Sequence, residues 1–179
     1  MEMKKVKEVG VSNYGPIGLK RVCDLARALG GNIVTDQVQC SLLAQNMLQN
    51  GLLETCKELG VTPLSYSPLA LGLLADKYTE DRLPTGVRGI LFREFLPGMK
   101  PLLQVMRAIA KERGKTVAQV ALNWNLCKGF LVLVGTRTVD QAKDNLGAST
   151  FRLSEAESDE IEIAAKKAKR FIKNPQECV

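Results

Sequence analysis

The chain has 179 residues, of which 45% are hydrophobic and 25% are charged. This length and composition suit one globular domain with a buried core. No apolar run approaches the roughly 18 residues of a membrane-spanning helix. The first residues resemble neither a secretory signal nor a transit peptide. We therefore expect a soluble intracellular protein that has no visible targeting signal and does not bind membranes.

Five scattered cysteines and the absence of histidine narrow the possible chemistry. The cysteines form no C-x-x-C pair, so their spacing predicts neither a zinc site nor a disulfide framework. Histidine is the commonest general acid–base group and the commonest metal ligand, and this chain cannot supply it. We expect reduced thiols and no bound metal.

The net charge is +6, and much of it lies in a basic cluster over residues 166–173. An anionic partner is one explanation of this cluster. The other is a basic last helical turn, which complements the helix dipole and is usually solvated. The second explanation is favoured, so we expect no nucleic-acid binding.

Short apolar runs alternate with stretches of helical periodicity along the chain. The first predicted strand covers residues 6–11, and a helix over residues 16–29 follows it. A second strand over residues 33–38 is followed by a helix over residues 50–59. Residues 61–66 form the third predicted strand.

The middle of the chain is predicted to be irregular and then helical. Residues 75–98 are rich in Pro, Gly and charge, and such long loops are usually functional or disordered. A helix is predicted over residues 99–113. Thr116 and Gln119 form a capping box that opens the next helix. Trp124 lies in that helix and is predicted to belong to the core.

The fourth predicted strand covers residues 130–134, and its continuous apolar character is typical of a strand covered on both faces. A helix over residues 138–146 and a last helix over residues 154–173 follow. Four strand–helix units predict an α/β protein with a parallel sheet, in one domain over residues 1–179. A small doubly wound sheet is the alternative, but no G-x-G-x-x-G follows the first strand.

The segment after the fourth strand has the features of a phosphate site. Gly135 allows the backbone to turn closely, and Thr138 can cap the first free amides of the next helix. A helix N-terminus with Arg137 beside it suits a phosphate group. An ordinary strand-to-helix turn is the alternative.

Polar residues also stand at the ends of the first three strands, where α/β proteins form ligand sites. Ser12 and Asn13 end the first strand, although they could instead cap the helix that begins at Pro16. Gln37 is a polar amide in a strand predicted to be buried, so it should have a partner. Tyr66 could stack on a flat heterocycle or fill the core.

Each strand end carries a short motif: Gly-Val-Ser-Asn at residues 10–13, Asp-Gln-Val-Gln at 36–39, Ser-Tyr-Ser-Pro-Leu at 65–69 and Val-Gly-Thr-Arg-Thr at 134–138. In this order and spacing they resemble the aldo-keto reductase family over nearly the whole chain. The segment around residues 77–97 is most similar to plant and algal members, which are often chloroplast proteins.

The resemblance implies strands five to eight, the C-terminal half, of a TIM (β/α)8 barrel that uses NADPH. The positions that hold the nicotinamide carboxamide are matched by Ser12, Asn13 and Gln37, and the position that stacks on the ring by Tyr66. The stretch that contacts the pyrophosphate is matched by Ser67, Pro68, Leu69 and Lys77, and the loop that closes over it contains Arg88.

The segment that binds the adenosine 2′-phosphate and adenine in the family is matched by Gly135, Thr136, Arg137, Gln141, Asp144 and Asn145. Two roles compete at Gln141, because Thr138 and Gln141 also form a T-x-x-Q capping box. The family often has a basic residue at this position. Arg137 could compensate through bidentate contacts to phosphate, so NADPH is favoured over NADH.

The resemblance also shows what this chain lacks. Intact relatives reduce small aldehydes and ketones with a catalytic Asp, Tyr, Lys and His on their first four strands, and nothing here matches those residues. Tyr14, Tyr66 and Tyr78 do not occur in the catalytic context. We therefore predict no catalytic residue and no reductase activity in this chain alone.

A half barrel leaves the strands over residues 6–11 and 130–134 with unpaired edges, and it leaves the interior face of the sheet uncovered. The missing half could come from another chain or a second copy, but a fragment of a longer enzyme is favoured. A non-catalytic NADP(H)-binding regulatory or accessory subunit, as some relatives are for potassium channels, and an inactive truncated product are the alternatives. The resemblance to chloroplast members makes the chloroplast a candidate location for the intact protein.

Overall fold

The computed structural model describes residues 6–168, in which strands and helices alternate. The strands are β1 (Val9–Ser12), β2 (Ile33–Gln39), β3 (Thr62–Tyr66) and β4 (Leu131–Leu133). The helices are α1 (Pro16–Ala28), α2 (Leu52–Leu59), α3 (Val87–Arg113), α4 (Val117–Cys127), α5 (Val139–Leu146) and α6 (Glu155–Lys167). Short 3-10 segments cover Asn46–Leu48, Ala70–Ala75 and Gly147–Thr150.

The strands form one sheet in the order β1-β2-β3-β4, and every neighbouring pair is parallel. Ser12 pairs with Gln37, Gln39 with Tyr66, and Tyr66 with Leu133. The predicted α/β fold with a parallel sheet is therefore confirmed. Because all strands run the same way, their carboxyl ends meet at one edge of the sheet.

Helices cover only one face of this sheet. In β2, Asp36 and Val38 are fully buried, whereas Gln37 between them is half-buried on the opposite face. Leu131 and Leu133 of β4 are 53% and 36% exposed. The prediction that residues 130–134 are covered on both faces is wrong, because the part of the chain that the structure describes places no second layer over this face.

One hydrophobic core lies between the sheet and the helices. Trp124 has no exposed surface, which confirms its prediction as a core residue. The capping boxes that begin α4 and α6, Thr116 with Gln119 and Ser154 with Glu157, are also present. These local signals fix where the two helices begin.

Helix α3 is a correction to the sequence analysis. Residues 75–98 were expected to be irregular, yet α3 begins at Val87 and continues through two prolines. Buried apolar residues recur at helical spacing along this stretch, at Phe92, Phe95, Leu96 and Met99. Each such side chain contributes about 1.5 to 3 kcal/mol when buried, so the four together contribute about 6 to 12 kcal/mol and offset the roughly 3 kcal/mol that each proline costs.

Both ends of the chain differ in extent from the prediction. The first strand begins at Val9, and residues 6–8 are exposed and precede it. Helix α6 ends at Lys167, while the predicted end at residue 173 and most of the basic cluster lie outside the described residues.

Within residues 6–168, four cysteines are free thiols and no group of His, Cys, Asp or Glu is arranged to hold a metal ion. No described helix is both long and apolar enough to cross a membrane.

A partly buried polar contact joins helix α6 to α4. The Glu162 Oε1 atom accepts a hydrogen bond from the Trp124 indole nitrogen at 3.0 Å and another from the Ser158 hydroxyl at 3.2 Å. The same oxygen lies 2.6 Å from the Lys128 ammonium. The carboxylate thus satisfies a buried donor and pairs with a cation at once.

We expect Glu162→Ala to lower the free energy of unfolding by about 1 to 3 kcal/mol, because the buried indole N–H of Trp124 loses its acceptor. Urea denaturation measures this change. Glu160→Ala is the matched control, since Glu160 is an exposed residue on the same helix and should shift stability by less than about 0.5 kcal/mol. Equal effects of the two substitutions would contradict the role given to Glu162.

Candidate functional site

A cavity of about 770 Å³ lies at the carboxyl ends of β3 and β4. The chain that follows β3 forms one wall, and the segment from the end of β4 into α5 forms another. The first turns of α3 and α4 complete it through Arg88, Thr116 and Ala118. Ligand sites of parallel α/β folds form at this edge of the sheet.

The cavity brings together all the predicted site residues that follow β3 and β4. Those after β3 are Ser67, Pro68, Leu69, Lys77 and Arg88. Those after β4 are Gly135, Thr136, Arg137, Gln141, Asp144 and Asn145. Residues that are far apart in the sequence therefore share one cavity.

The predicted residues on the first three strands lie beside the cavity and do not line it. Ser12, Gln37 and Tyr66 are on the open face of the sheet, because their neighbours Val11, Asp36 and Ser65 point to the helices. Tyr66 pairs with Leu133, which does line the cavity. The strand residues and the cavity thus form one continuous surface.

The carbonyl of Gln37 joins the end of β1 to β2. It accepts hydrogen bonds from the Ser12 hydroxyl at 2.9 Å and from the Asn13 amide at 2.8 Å. Neither residue caps α1, whose N-cap is Gly15, so the capping alternative is wrong. The Gln37 carboxamide makes no hydrogen bond to other described residues, and the fully buried polar residue of β2 is Asp36.

The turn between β4 and α5 is ordered by its own side chains. Thr138 caps α5 by accepting from the Gln141 amide at 3.2 Å. Gln141 does not complete the predicted capping box, because its Oε1 accepts from the Arg137 amide at 2.9 Å. Asn145 donates to the Thr136 hydroxyl at 3.1 Å. Gln141 therefore faces its own turn and holds the backbone of Arg137.

Asp144 fastens α5 to the start of α4. Its carboxylate accepts from the Thr116 hydroxyl at 3.3 Å and from the Gln119 carboxamide at 3.1 Å. Gln119 also donates to the Asp144 carbonyl at 2.8 Å. The carboxylate oxygens are therefore engaged on the α4 side of the cavity.

Positive charge dominates the cavity. Lys77, Arg88 and Arg137 line it, and Asp144 is the one acidic residue among the described residues that do. Within residues 6–168, none of these three cationic groups forms an ion pair. The surplus of unpaired cations favours an anionic ligand, and guanidinium groups suit phosphate oxygens.

Gly135 leaves open space in the cavity wall. A Cβ atom built there would meet no other atom within 4 Å, and its backbone does not adopt the left-handed conformation that favours glycine. Neither backbone strain nor packing within the described chain therefore requires glycine here. The space is of the kind that a ligand fills when it approaches the backbone closely.

The loop that carries Lys77 is held against α3. Asp76 accepts two hydrogen bonds from Arg107, at 2.7 and 2.6 Å, and Glu80 lies 2.7 Å from the Lys100 ammonium. Tyr78 packs edge-on against Phe92 with ring centroids 5.1 Å apart. Tyr78 also lines the cavity, and it was not among the predicted site residues, because no motif singles it out.

Comparison with known proteins agrees with this architecture. The model of the aldo/keto reductase family matches residues 2–166. The chain therefore belongs to the aldo-keto reductase family, as the four motifs predict.

Several relatives are similar along most of this chain. A chloroplastic pyridoxal reductase of Arabidopsis thaliana is 46% identical over 170 residues, which cover 94% of this chain and 47% of the relative. The L-glyceraldehyde 3-phosphate reductase of Escherichia coli K12 is 29% identical over 154 residues, 80% of this chain and 44% of its own length. The chain thus spans about half the length of these relatives.

Solved structures lead to the same fold. A thermostable aldo-keto reductase crystallised with the inhibitor epalrestat superposes with a TM-score of 0.70 at 26% sequence identity. The match covers 91% of this chain and 50% of that structure. The four-stranded parallel sheet and its helices therefore correspond to part of an aldo-keto reductase fold.

We expect Gly89→Ala to loosen the loop beside the cavity, because the new Cβ would overlap the backbone carbonyl oxygen of Pro84. Overpacking of this kind costs about 1 to 3 kcal/mol. Tryptic cleavage at the exposed Lys77 and Arg82 should then be about fivefold faster or more, if it proceeds from the opened loop. Gly135→Ala is the control, and its cleavage rate should match the wild type. Unchanged cleavage of the Gly89 variant would contradict this packing.

Proposed function

We propose that this chain is the C-terminal, NADPH-binding half of an aldo-keto reductase barrel. The observation that carries the proposal is the cationic cavity after β3 and β4, with open space above Gly135. In TIM barrels the phosphate site commonly lies after strands seven and eight. The match of the chain to about half of each relative agrees with four of the eight strands.

The residues of the cavity fit the phosphate-bearing end of the cofactor. Arg137 would contact the adenosine 2′-phosphate, and Gln141 would position it through the Arg137 amide. Lys77 and the segment Ser67–Leu69 would face the pyrophosphate, with Arg88 in the loop above it. The adenosine would lie along the wall formed by Gly135, Thr136, Asp144 and Asn145.

The open face of the sheet would take the nicotinamide end. The unpartnered carboxamide of Gln37, together with Ser12 and Asn13, would hold the carboxamide of the cofactor, and the Tyr66 ring would stack on the nicotinamide. NADPH, when bound, supplies the hydride that reduces a carbonyl carbon. The role of these residues is to orient the ring at the edge where the substrate would enter.

Reduction itself would need residues that this chain does not supply. The family's catalytic Asp, Tyr, Lys and His would come from a second four-stranded half that pairs with the free edges of β1 and β4 and covers the exposed Leu131 and Leu133. The pyridoxal and glyceraldehyde phosphate reductases among the relatives are named for aldehyde substrates, which supports a small carbonyl compound as the substrate of the complete barrel.

A non-catalytic NADP(H)-binding subunit is the second candidate. It is favoured by the residue types present: Lys77, Arg88 and Arg137 line the cavity and suit nucleotide phosphates, whereas none of the 179 residues is the histidine that the family's catalytic group needs. The mass of the native product separates the candidates. A product of 19.6 kDa favours the subunit, whereas a product of full-barrel size with peptides upstream of Met1 favours the enzyme.

We expect Arg137→Ala to weaken the binding of adenosine 2′,5′-bisphosphate by about tenfold or more, because a charged hydrogen bond contributes about 1.5 to 3 kcal/mol. Isothermal titration calorimetry measures the affinity. Arg152→Ala removes an exposed arginine outside the cavity and should leave binding unchanged. Similar losses in both variants would show a general charge effect and would refute a specific phosphate contact by Arg137.

A further inference from the structure

Asp36 is a buried carboxylate that the proposed cofactor site does not use directly. It lies on the helix-covered face of β2 and has no exposed surface. Its Oδ1 accepts a hydrogen bond from the Tyr14 amide at 3.4 Å, while its Oδ2 is buried with no hydrogen-bond partner. A buried carboxylate without a cation is costly, so its presence needs a reason.

The turn that Asp36 contacts has a left-handed residue. Asn13 has a φ angle of 63°, which residues other than glycine, asparagine and aspartate rarely adopt. Such a conformation persists only where the surrounding structure holds it. Here β2 holds the turn from two sides, through the Gln37 carbonyl on the Asn13 amide and the Asp36 carboxylate on the Tyr14 amide.

Stability of the fold does not explain the carboxylate. Burial raises the pKa of Asp36 to about 6, although the amides of Tyr14 and Asn13 act to lower it. Because the pKa of Asp36 rises on folding from 3.8 to about 6, the native state loses stability as the pH rises between these two values, and the full loss remains above about pH 6. The titratable groups that face Asp36 are the Cys23 thiol from α1 and the Cys56 thiol from α2, both buried and both with raised pKa. Neither supplies a compensating cation.

We propose that Asp36 is a positioning residue, whose side-chain oxygen fixes the turn of Ser12 and Asn13 in the geometry that the nicotinamide end of the cofactor requires. This inference rests on the proposed function. The adenosine end of the site lies after β3 and β4 and is ordered by its own contacts, such as those of Gln141 and Asp144. Asp36 therefore acts on one end of the cofactor and leaves the other unaffected.

The test compares two ligands on the full 179-residue chain. The affinity for NADPH depends on both ends of the site, whereas the affinity for adenosine 2′,5′-bisphosphate depends on the adenosine end alone. Asp36→Ala should weaken NADPH binding about fivefold and leave binding of the bisphosphate within about twofold, because the Tyr14 amide loses its side-chain acceptor. Asp36→Asn keeps an oxygen acceptor and should restore most of the NADPH affinity.

Thermal unfolding tests whether Asp36 positions the turn or stabilises the fold. At pH 7.5, Asp36→Asn should melt no lower than the wild type, because it removes a buried charge. The difference in melting temperature between the variant and the wild type should shrink as the pH falls through about 6, where the wild-type carboxyl group takes up a proton. An Asp36→Asn variant that melts well below the wild type at pH 7.5 would make Asp36 a stabilising residue and overturn the inference.

The binding outcomes distinguish failure of this inference from failure of the proposed function. If the wild-type chain binds neither ligand, the proposed function falls and the inference falls with it. If the wild type binds both ligands and Asp36→Ala weakens both equally or neither, only the positioning role is overturned. A selective loss of NADPH that Asp36→Asn rescues supports it.

Discussion

Parallel pairing of four strands, with helices on one face only, is the constraint on which the other features of this molecule depend. It places every strand's carboxyl end at one edge, so motifs separated by more than a hundred residues of chain meet there. It also leaves the opposite face and both sheet edges without a cover among the described residues. The cavity and the open face are two consequences of the same arrangement.

The cavity wall is shaped by polar contacts from α4 as well as by the core. Asn123 is buried, donates to the carbonyls of Ala148 and Phe151 at 2.8 and 2.7 Å, and accepts from the Leu153 amide at 3.0 Å. Gln119 binds Asp144 in the same way one turn earlier. Because α4 holds the chain on both sides of the α5 C-terminus, the phosphate-facing turn is supported from behind.

Local patterns were sufficient to predict much of this structure. The parallel sheet and the capping box at Thr116 follow from local patterns, and the residues after β3 and β4 that share the cavity follow from the resemblance of the motifs to the family. The wrong predictions concern features that packing between distant parts of the chain determines. The apolar residues of β4 suggest a strand covered on both faces, although one face has no cover among the described residues. Pro97 favours a loop, although the buried face of the first part of α3 stabilises a helix there.

Asp36 shows a second limit of sequence patterns. It precedes Gln37, and strand alternation requires one of the two to be buried, but the pattern alone does not say which. The sequence suggests the Gln37 amide as the buried polar group, whereas the structure buries the Asp36 carboxylate and turns the amide to the open face. Val38 is buried on the helix side, and Asp36 shares that face because it lies two residues away in the same strand.

The most direct test of the central claim is a calorimetric titration of the 179-residue chain with NADPH and, separately, with NADH. A cavity that binds the 2′-phosphate through Arg137 predicts that NADPH binds about tenfold tighter than NADH or more, as one charged contact would provide. Equal affinities would show that the cationic cavity makes no favourable contact with the 2′-phosphate. The absence of binding by either cofactor would contradict the nucleotide-binding account as a whole.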